Sequence, residues 1–355
     1  MSGFAVTVEV IDKIWEHTNA DSLEMASLVD KNYDLVVMKG QYVSDDVVIF
    51  FPIDSILPTN ILDAIGLTGK LSGKGRNTVK TIKLRGNISQ GIVVSPDVLL
   101  DNNISLGYIP PGTNLTDILG VEKYDPPIIS SNSGNLVRLP EYVKKYDIES
   151  AQDYMYLVYR LMDIPVFISE KVEGSNWAIT LLIEDGSISV CQRNYKIVRI
   201  DGKEHTWHKA ARTGEFFNKI KLIADIVTTW GRDVKAVTIR GEIVGPGIQG
   251  NYYNLKEHEV YVFDIELNGT PLSSEMFLML CLRLNIQSVP VISTYDTLFT
   301  QLEGKTLLNY SNGQSLIIDK PKEGVVIKPM KEVIMDEDIG RVFFKQRSPE
   351  YLLKN

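Results

Sequence analysis

A lysine near the middle of the chain is the first residue whose surroundings suggest chemistry. Lys171 lies shortly after the apolar run Val166–Ile168, and Glu173 and Gly174 come close behind it. A lysine at the end of a buried strand offers a nucleophile on a rigid element, and a nearby carboxylate can bind a metal ion. Taken alone, the pattern Lys-x-x-Gly is weak, because a surface lysine beside a turn produces the same pattern.

Four further elements carry carboxylates, an aromatic ring and cations beside predicted strands. In chain order they are Arg240-Gly241-Glu242, Tyr261-Val262-Phe263-Asp264-Ile265, Glu323-Gly324-Val325-Val326-Ile327-Lys328-Pro329 and Lys345-Gln346-Arg347. Five elements in one order are much more specific than any one of them. Two other candidates fail: Gly69–Arg76 lacks the spacing of a phosphate-binding loop, and the pair His205 and His208 is more typical of packing than of metal binding.

This ordered set resembles the motifs of the lysine-adenylylating ligases and capping enzymes, and it is most similar to ATP-dependent RNA ligases. In that family the nucleophile motif continues to an asparagine, here Asn176, and an element like Gln192-Arg193-Asn194 follows on the next strand. Pro52–Ser55 and Leu84–Gly91 look like the OB module that precedes the ligase domain in the fifth family of RNA ligases. DNA ligases and capping enzymes place their OB domain after the last cationic motif, whereas only eight residues follow Arg347 here.

The resemblance implies three chemical steps. A lysine, here Lys171, attacks the α-phosphorus of ATP and forms lysyl-AMP. AMP then moves to an RNA 5′-phosphate, and an RNA 3′-hydroxyl displaces it to seal the strand. Since a free lysine is protonated at pH 7, we expect the cations Lys328, Lys345 and Arg347 and a bound metal ion to depress its pKa. The rate of the first step should then rise with pH.

Further roles also follow from the resemblance. We expect Phe263 to stack on adenine, Glu170 to meet the base edge, and Arg193 and Glu242 to contact the ribose. Asn176 is expected to assist the RNA-joining steps, and Lys145 to touch the β- or γ-phosphates. The other expected nucleotide contacts are Glu323, Lys328, Lys345 and Arg347. The expected cofactor is Mg²⁺ or Mn²⁺, with three candidate ligands: Glu173, Glu242 and Glu323.

Two positions depart from the family pattern. Glu173 stands where the wider superfamily usually has aspartate, and the added methylene moves the carboxylate by about an ångström or more, which is compatible with binding the metal through water. Arg347 stands where lysine is common, and its planar fork is not equivalent to a point charge. Neither departure removes a charge that the chemistry requires.

Two groups of predicted elements position these residues. Short strands separated by turns run from Phe4 to about Asp117, which favours a small barrel of the OB type. A segment rich in Pro, Ser, Asn and Gly then predicts a linker. Beyond it, strands mix with two predicted helices, Glu215–Trp230 and Glu275–Leu284, in an α+β arrangement with antiparallel sheets. We therefore predict an OB domain over residues 1–125, a linker over 126–135 and a nucleotidyltransferase domain over 136–355.

Composition limits the remaining functions. The 355 residues carry a formal charge of −8, which argues against a general, charge-driven coat on nucleic acid. A local basic run does occur between Lys70 and Arg85. Contact with RNA backbone or ATP phosphates and a solvated surface without a partner are equally expected there. Two cysteines, no signal peptide and no membrane span predict a soluble, cytoplasmic protein, which we expect to be a monomer.

Two alternatives to an RNA ligase stay open at this point. One is an ATP-dependent DNA ligase of the same superfamily, which a comparison of nicked RNA and nicked DNA would distinguish. The other is a non-catalytic RNA-binding adaptor built on the OB module, which would bind RNA through residues 1 to about 125 and form no lysyl-AMP. The charged residues of the five motifs argue against the adaptor.

Overall fold

The structure is a computed structural model that describes residues 4–98, 109–124, 136–198, 204–331, 334–337 and 339–353. The chain divides into two compact units, one within residues 1–128, 150–156 and 352–355 and the other within residues 129–149 and 157–351. The predicted linker over residues 126–135 lies outside the described residues, and the domain bounds given above stay a prediction.

The first unit is built on an antiparallel sheet of short strands, as predicted for an OB domain. Its elements are β1 (Thr7–Glu16), β2 (Leu23–Leu28), β3 (Lys31–Met38), β4 (Val47–Phe51), β5 (Ser55–Ile56), α1 (Thr59–Ala64), β6 (Ile82–Leu84), β7 (Asn87–Ser89), β8 (Ile92–Val94) and β9 (Glu122–Lys123). The main sheet has the strand order β3-β2-β1-β4-β8. Strand β4 is buried on both faces: Ile49 and Phe51 pack in one apolar cluster, Val48 and Phe50 in another.

Three details of this unit differ from the predicted strands. The β-branched and aromatic residues of Phe4–Ile11 and Val79–Leu84 predict two strands. The first is shifted along the chain to β1, and within the second only β6 forms. Strand β2 was not predicted at all, because its sequence, Leu-Glu-Met-Ala-Ser-Leu, is rich in residues that favour helices. Pairing with β1 and β3 on its two sides overrides that local preference.

From residue 136 onward the strands and helices alternate irregularly. In chain order they are β10 (Leu136–Val137), β11 (Glu149–Ser150), α2 (Met155–Val158), β12 (Val166–Glu170), β13 (Ser175–Leu182), β14 (Ile188–Cys191), β15 (Lys196–Ile197), α3 (Thr206–Thr213), α4 (Phe216–Thr228), β16 (Ala236–Val244), β17 (Glu259–Leu267), β18 (Thr270–Pro271), α5 (Ser274–Arg283), β19 (Val291–Ser293), α6 (Leu298–Leu302), α7 (Leu307–Tyr310), β20 (Gly324–Pro329), β21 (Met335–Asp336), β22 (Gly340–Arg341), β23 (Phe344–Arg347) and α8 (Pro349–Leu352).

Two antiparallel sheets organise the second unit. The larger has the order β10-β15-β14-β13-β16-β17-β18, and the smaller contains the order β23-β20-β12-β19. Helix α4 packs Ile220 and Ile223 into the same apolar core as Trp177 and Ile239 of the larger sheet. Both predicted helices are confirmed, as α4 and α5. Helix α3 was missed because its buried residues are His208, Ala210 and Ala211, and none of them is a large apolar side chain of the kind used to predict the other two helices.

One face of the larger sheet is apolar and the other is polar. Registered neighbours on β13 and β16 alternate: Trp177 and Ile239 belong to the apolar core, whereas Asn176 pairs with Glu242, and Arg240 pairs with Asp264 of β17. Buried charged groups are thus gathered on one side of this sheet. None of the described helices is both long and apolar enough to cross a membrane.

The two cysteines are buried, and burial raises the pKa of each thiol, Cys191 and Cys281, to about 12. Because a thiol with such a pKa is almost entirely protonated at pH 8, we expect neither to react with a thiolate-specific reagent in the folded protein. Labelling with such a reagent at pH 8 should be at least about a hundredfold faster in denaturant. Rapid labelling of either thiol in the folded protein would contradict the packing described here.

Candidate active site

Lys171 lies at the end of β12 and contacts a carboxylate from far along the chain. Strand β12 pairs with β20 in antiparallel register, with Glu170 opposite Val325, and the Lys171 backbone N–H donates to the Gly324 carbonyl at 2.9 Å. This register brings the Lys171 Nζ atom 2.7 Å from the Glu323 Oε2 atom. The side chain of Glu323 is 5% exposed and that of Lys171 is 22% exposed, so the pair is largely shielded from water.

Two further carboxylates act on the same lysine. Glu242, on β16, and Glu173, just after β12, both attract the Lys171 ammonium. The Glu173 carboxyl also makes a hydrogen bond with the Glu323 carboxyl and another with the Tyr351 hydroxyl. The structure therefore brings together four residues that the sequence predicted to share a site. Their mutual contacts could not be read from their spacing in the sequence.

The charge balance at this site differs from the expectation that cations would depress the pKa of the nucleophile. Burial alone lowers the pKa of the Lys171 ammonium, but attraction to Glu323, Glu242 and Glu173 outweighs it, and the pKa is raised above its usual value. Without bound ligands the pKa of Lys171 is thus raised, because acidic neighbours outnumber basic ones, and the lowering expected from the cations together with a bound metal ion stays a prediction.

The carboxylates themselves show that the site lacks positive charge. Burial, followed by the charge of Glu323, raises the pKa of Glu173 to about 7, and burial raises the pKa of Glu242 to about 8. Two carboxyl groups can share a hydrogen bond only when one of them is protonated, and a divalent cation could take the place of that proton. The donor set therefore suits a hard divalent cation.

The described residues do not form a ready-made metal cage. No three of their histidine, cysteine, aspartate or glutamate side chains are grouped closely enough to hold an ion. Mg²⁺ and Mn²⁺ chemistry does not require such a cage, because Mg²⁺ is usually bound by one or two carboxylates together with substrate phosphates and water. Glu173 and Glu323 fit that description, and Glu242 as a third direct ligand stays a prediction.

The closing cations are divided between two environments. Lys345 and Arg347 alternate with the buried Phe344 and Gln346 on β23, so they share one face of that strand. The Arg347 Nε atom lies 3.8 Å from the Glu323 Oε1 atom, which places this residue at the candidate site.

Lys328 lies deeper in the protein. Its Nζ atom donates to the Phe263 carbonyl at 2.6 Å and to the Asp264 Oδ2 atom at 3.2 Å. Burial lowers the pKa of Lys328 to about 8. In this structure its ammonium therefore binds the Asp264 carboxylate, and its expected contact with the nucleotide stays a prediction.

Asp264 is the centre of a buried polar network that sequence reasoning missed. The Tyr146 hydroxyl donates to the Asp264 carboxylate at 2.6 Å, and Arg341 donates to the same carboxylate. Burial alone raises the pKa of Asp264, but Arg341 and Lys328 outweigh it and hold the pKa below its usual value. The only sequence signal for this network was the position of Asp264 next to Phe263 in a predicted strand. Tyr146 and Arg341 belong to none of the five motifs.

Phe263 reaches this polar side of the sheet through a β-bulge. The register between β16 and β17 shifts at this point, with Arg240 opposite Asp264 but Gly241 opposite Val262, so Phe263 is the extra residue. Bulges re-aim side chains, and here the ring lies against Tyr146, with ring centroids 5.0 Å apart. Stacking of adenine on Phe263 stays a prediction, and it requires the ring face that Tyr146 leaves open.

Glu170 uses its side chain within the protein. The carboxylate accepts from the Ser315 hydroxyl at 2.6 Å and from the Leu316 backbone N–H at 2.7 Å, and it is buried. These contacts tie the loop before Glu323 to β12, which ends just before Lys171. A contact between Glu170 and the adenine edge stays a prediction, and the structure leaves it to the main chain.

Two of the remaining predicted contacts, Arg193 and Asn176, are linked to Glu242, and Lys145 is linked to Arg193 through Asp147. Arg193 pairs with Asp147, whose other oxygen lies 3.4 Å from the Lys145 Nζ atom, and the charge of Arg193 also acts on Glu242. Asn176 pairs in register with Glu242. Its Oδ1 atom is buried, and among the described residues it has no hydrogen-bond partner.

The first unit has a sheet of the OB type, and it is followed by a unit of two antiparallel sheets in which a lysine faces carboxylates at a strand end. Residues 164–347 match the family described as RNA ligase, and residues 5–96 match an OB-fold domain. The chain belongs to the RNA ligase family. No curated protein sequence matches it.

Solved structures agree with this fold. A Naegleria gruberi RNA ligase mutant with AMP and Mn superposes with a TM-score of 0.80 at 24% identity, covering 99% of this chain and 98% of that one. Another mutant of that ligase, with ATP and Mn, gives a TM-score of 0.81 at 24% identity and covers 99% of both chains. These matches show the same fold along nearly the whole chain, with the OB domain before the ligase domain.

Proposed function

We propose that this protein is an ATP-dependent RNA ligase that joins RNA 3′-hydroxyl and 5′-phosphate ends through a lysyl-AMP intermediate on Lys171. The observation that carries the proposal is the 2.7 Å contact between Lys171 Nζ and Glu323 at the end of β12. In a chain of the RNA ligase family, this is a nucleophile held on a rigid strand and within reach of a proton acceptor.

The first step then assigns a task to each group. The neutral Lys171 Nζ atom attacks the α-phosphorus of ATP, a P–N bond forms, the bond to the bridging oxygen breaks and pyrophosphate leaves. Glu323 is placed to take the proton that Nζ loses. Arg347 and Lys345 share a strand face beside Glu323 and stabilise the negative charge on the phosphates. A divalent cation held by Glu173 and Glu323 would neutralise phosphate oxygens when bound.

The residues around this centre support nucleotide and RNA binding. We infer that Phe263 and the main chain at Glu170 hold the adenine, and that Arg193 and Glu242 hold the ribose. We infer that Lys145 contacts the outer phosphates, and the pairing of both Lys145 and Arg193 with Asp147 supports this. The Asn176 Oδ1 atom has no hydrogen-bond partner in the part of the chain that the structure describes, which supports a role in the RNA-joining steps. We infer that the enzyme works as a monomer.

The test is incubation of the protein with ATP carrying a radioactive α-phosphate and with Mn²⁺, followed by a denaturing gel. The wild type should become labelled and Lys171→Ala should not. Sealing assays on nicked RNA and nicked DNA duplexes then decide the substrate. An unlabelled wild type would reject the proposal, whereas labelling with preferential sealing of a DNA 3′-hydroxyl strand would make the protein a DNA ligase.

The basic run of the first unit provides a separate prediction about RNA. Its β6–β7 hairpin presents the exposed Lys83 and Arg85, and the His17 ring is hydrogen-bonded to the Leu84 carbonyl at 3.1 Å, which fixes the hairpin. We expect the double charge reversal K83E/R85E to weaken binding of single-stranded RNA about tenfold at low salt. It should also reduce the slope of log K against log salt by about 1.4, or about 0.7 for each lost phosphate contact.

Fluorescence anisotropy of a labelled RNA across a salt series measures both quantities. The matched control is K13E/K39E, which reverses two other exposed lysines of the same unit. Equal losses in the two variants would mean that only net charge matters, and the hairpin would then not be an RNA contact.

A further inference from the structure

The C-terminal turn is fixed to the carboxylate site. After β23, the Ser348 backbone N–H donates to the Glu323 carbonyl at 2.8 Å, and the Ser348 hydroxyl donates to the Asn312 side chain at 2.9 Å. The Tyr351 backbone N–H in turn donates to the Ser348 hydroxyl at 3.3 Å. Through these bonds, the position of Tyr351 is set relative to Glu323.

The side chain of Tyr351 is directed at Glu173. Tyr351 is 6% exposed, its ring packs edge-on against Tyr252 with centroids 5.6 Å apart, and its hydroxyl makes a hydrogen bond with the Glu173 carboxyl. The Glu173 backbone is held as well, because its N–H donates to the Tyr253 hydroxyl at 2.8 Å. One tyrosine therefore holds the backbone of Glu173 and another holds its carboxyl group.

The contacts of Glu173 compensate for the presence of glutamate at a position where aspartate is usual. A glutamate has one more rotatable bond than the aspartate that is usual at this position, so its carboxylate needs an external contact to stay in one place. Groups that hydrogen-bond to a metal ligand orient it, and their loss typically weakens metal binding. The Tyr351 hydroxyl can act in this way without touching the metal ion itself.

We propose that Tyr351 is a positioning residue that holds the Glu173 carboxylate beside Glu323 in the geometry that binds the divalent cation. The inference rests on the proposed function, which supplies the reason for a cation at these carboxylates. It adds a residue that lies outside all five sequence motifs.

The test measures binding of Mn²⁺ alone to the full-length protein, from the loss of the free-ion electron paramagnetic resonance signal. We expect Tyr351→Phe to raise the Kd about tenfold, in the range usual for groups that orient a metal ligand. Glu173→Ala should also weaken binding, and adding Tyr351→Phe to it should cause no further loss. The matched control is Tyr33→Phe, which removes a buried tyrosine hydroxyl that donates to Asp153 at 2.7 Å in the first unit.

The control should bind Mn²⁺ as the wild type does, and thermal melts should show that all variants fold. A Kd for Tyr351→Phe within twofold of the wild type would overturn the inference. So would equal losses in the presence and absence of the Glu173 side chain, or a wild type that binds no Mn²⁺. AMP labelling of the wild type separates the two proposals, because labelling together with additive losses rejects only the role of Tyr351.

Discussion

Replacing Lys171 with arginine is expected to abolish covalent attachment of AMP while leaving the protein folded. Arginine keeps a positive charge beside Glu323, which is 5% exposed and would otherwise become a shielded, unpaired carboxylate. A guanidinium stays protonated, with a pKa above about 12, so less than about one molecule in ten thousand carries a free lone pair near neutral pH. Because the lysine it replaces is itself mostly protonated near neutral pH, the fraction with a free lone pair falls by about 10²- to 10³-fold, and we expect labelling to fall by at least about 10²-fold.

The choice of arginine separates chemistry from stability. Lys171→Ala removes the partner of a shielded carboxylate, so its loss of activity could include a loss of folded protein. For Lys171→Arg, urea unfolding should give a free energy within about 1 kcal/mol of the wild type, because the ion pair is kept. A matched control is Lys305→Arg, since Lys305 also pairs with a glutamate, Glu303, but is exposed. Label that persists in Lys171→Arg would place the nucleophile elsewhere.

The sequence predicted the meeting of Lys171 and Glu323 because both lie at the ends of strands in recognisable motifs. Each motif combines an apolar run with a charged residue at its edge. This pattern is local, so it can be recognised without knowing how the rest of the chain folds. The antiparallel pairing of β12 with β20 then makes neighbours of two residues that are far apart in the sequence. Motif order was a sound guide to this part of the site.

The environment of Lys328 could not be predicted in the same way. Alternation along a strand assigns a residue to a face, but the bulge at Phe263 places two successive side chains, Phe263 and Asp264, beside the same lysine. The partners Tyr146 and Arg341 come from segments without a sequence signal. A buried ion pair of this kind depends on tertiary packing, so its existence and its effect on the pKa of Lys328 emerge only in the structure.

Glu170 and Tyr351 show a different limit. Their residue types and positions were visible, but the partner of each carboxylate or hydroxyl was not. The Glu170 carboxylate turned out to hold the loop at Ser315, and the Tyr351 hydroxyl turned out to hold Glu173. A motif contains only residues of its own segment. It can therefore suggest a ligand for a side chain, but it cannot show a hydrogen bond to a partner far along the chain.

Gly324→Ala is expected to have the second large effect, and it acts through backbone packing. Gly324 has a φ of +154°, and a Cβ atom built on it would lie 2.1 Å from the Gln346 carbonyl oxygen and 2.9 Å from the Arg347 Cα atom. Both contacts are with the backbone of β23, which cannot rotate away as a side chain would. The methyl group must therefore push β20 and β23 apart.

The displaced strand carries several parts of the site. Gly324 accepts the hydrogen bond from the Lys171 backbone, follows Glu323 and pairs with Arg347. We expect the free energy of unfolding to fall by about 3 kcal/mol or more, because overpacking and a strained backbone act together. Labelling per folded molecule should fall about a hundredfold, since a shift of about 1 Å in reacting groups costs that much.

Urea unfolding and AMP labelling, each corrected for the folded fraction, separate the two effects. The matched control is Gly186→Ala, because Gly186 also has a positive φ, +68°, but a Cβ atom added there would meet nothing within 4 Å. That control carries the conformational strain alone, about 1 kcal/mol, with labelling unchanged. If Gly324→Ala were no more harmful than Gly186→Ala, the close approach of β20 and β23 could not be what holds Lys171, Glu323 and Arg347 together.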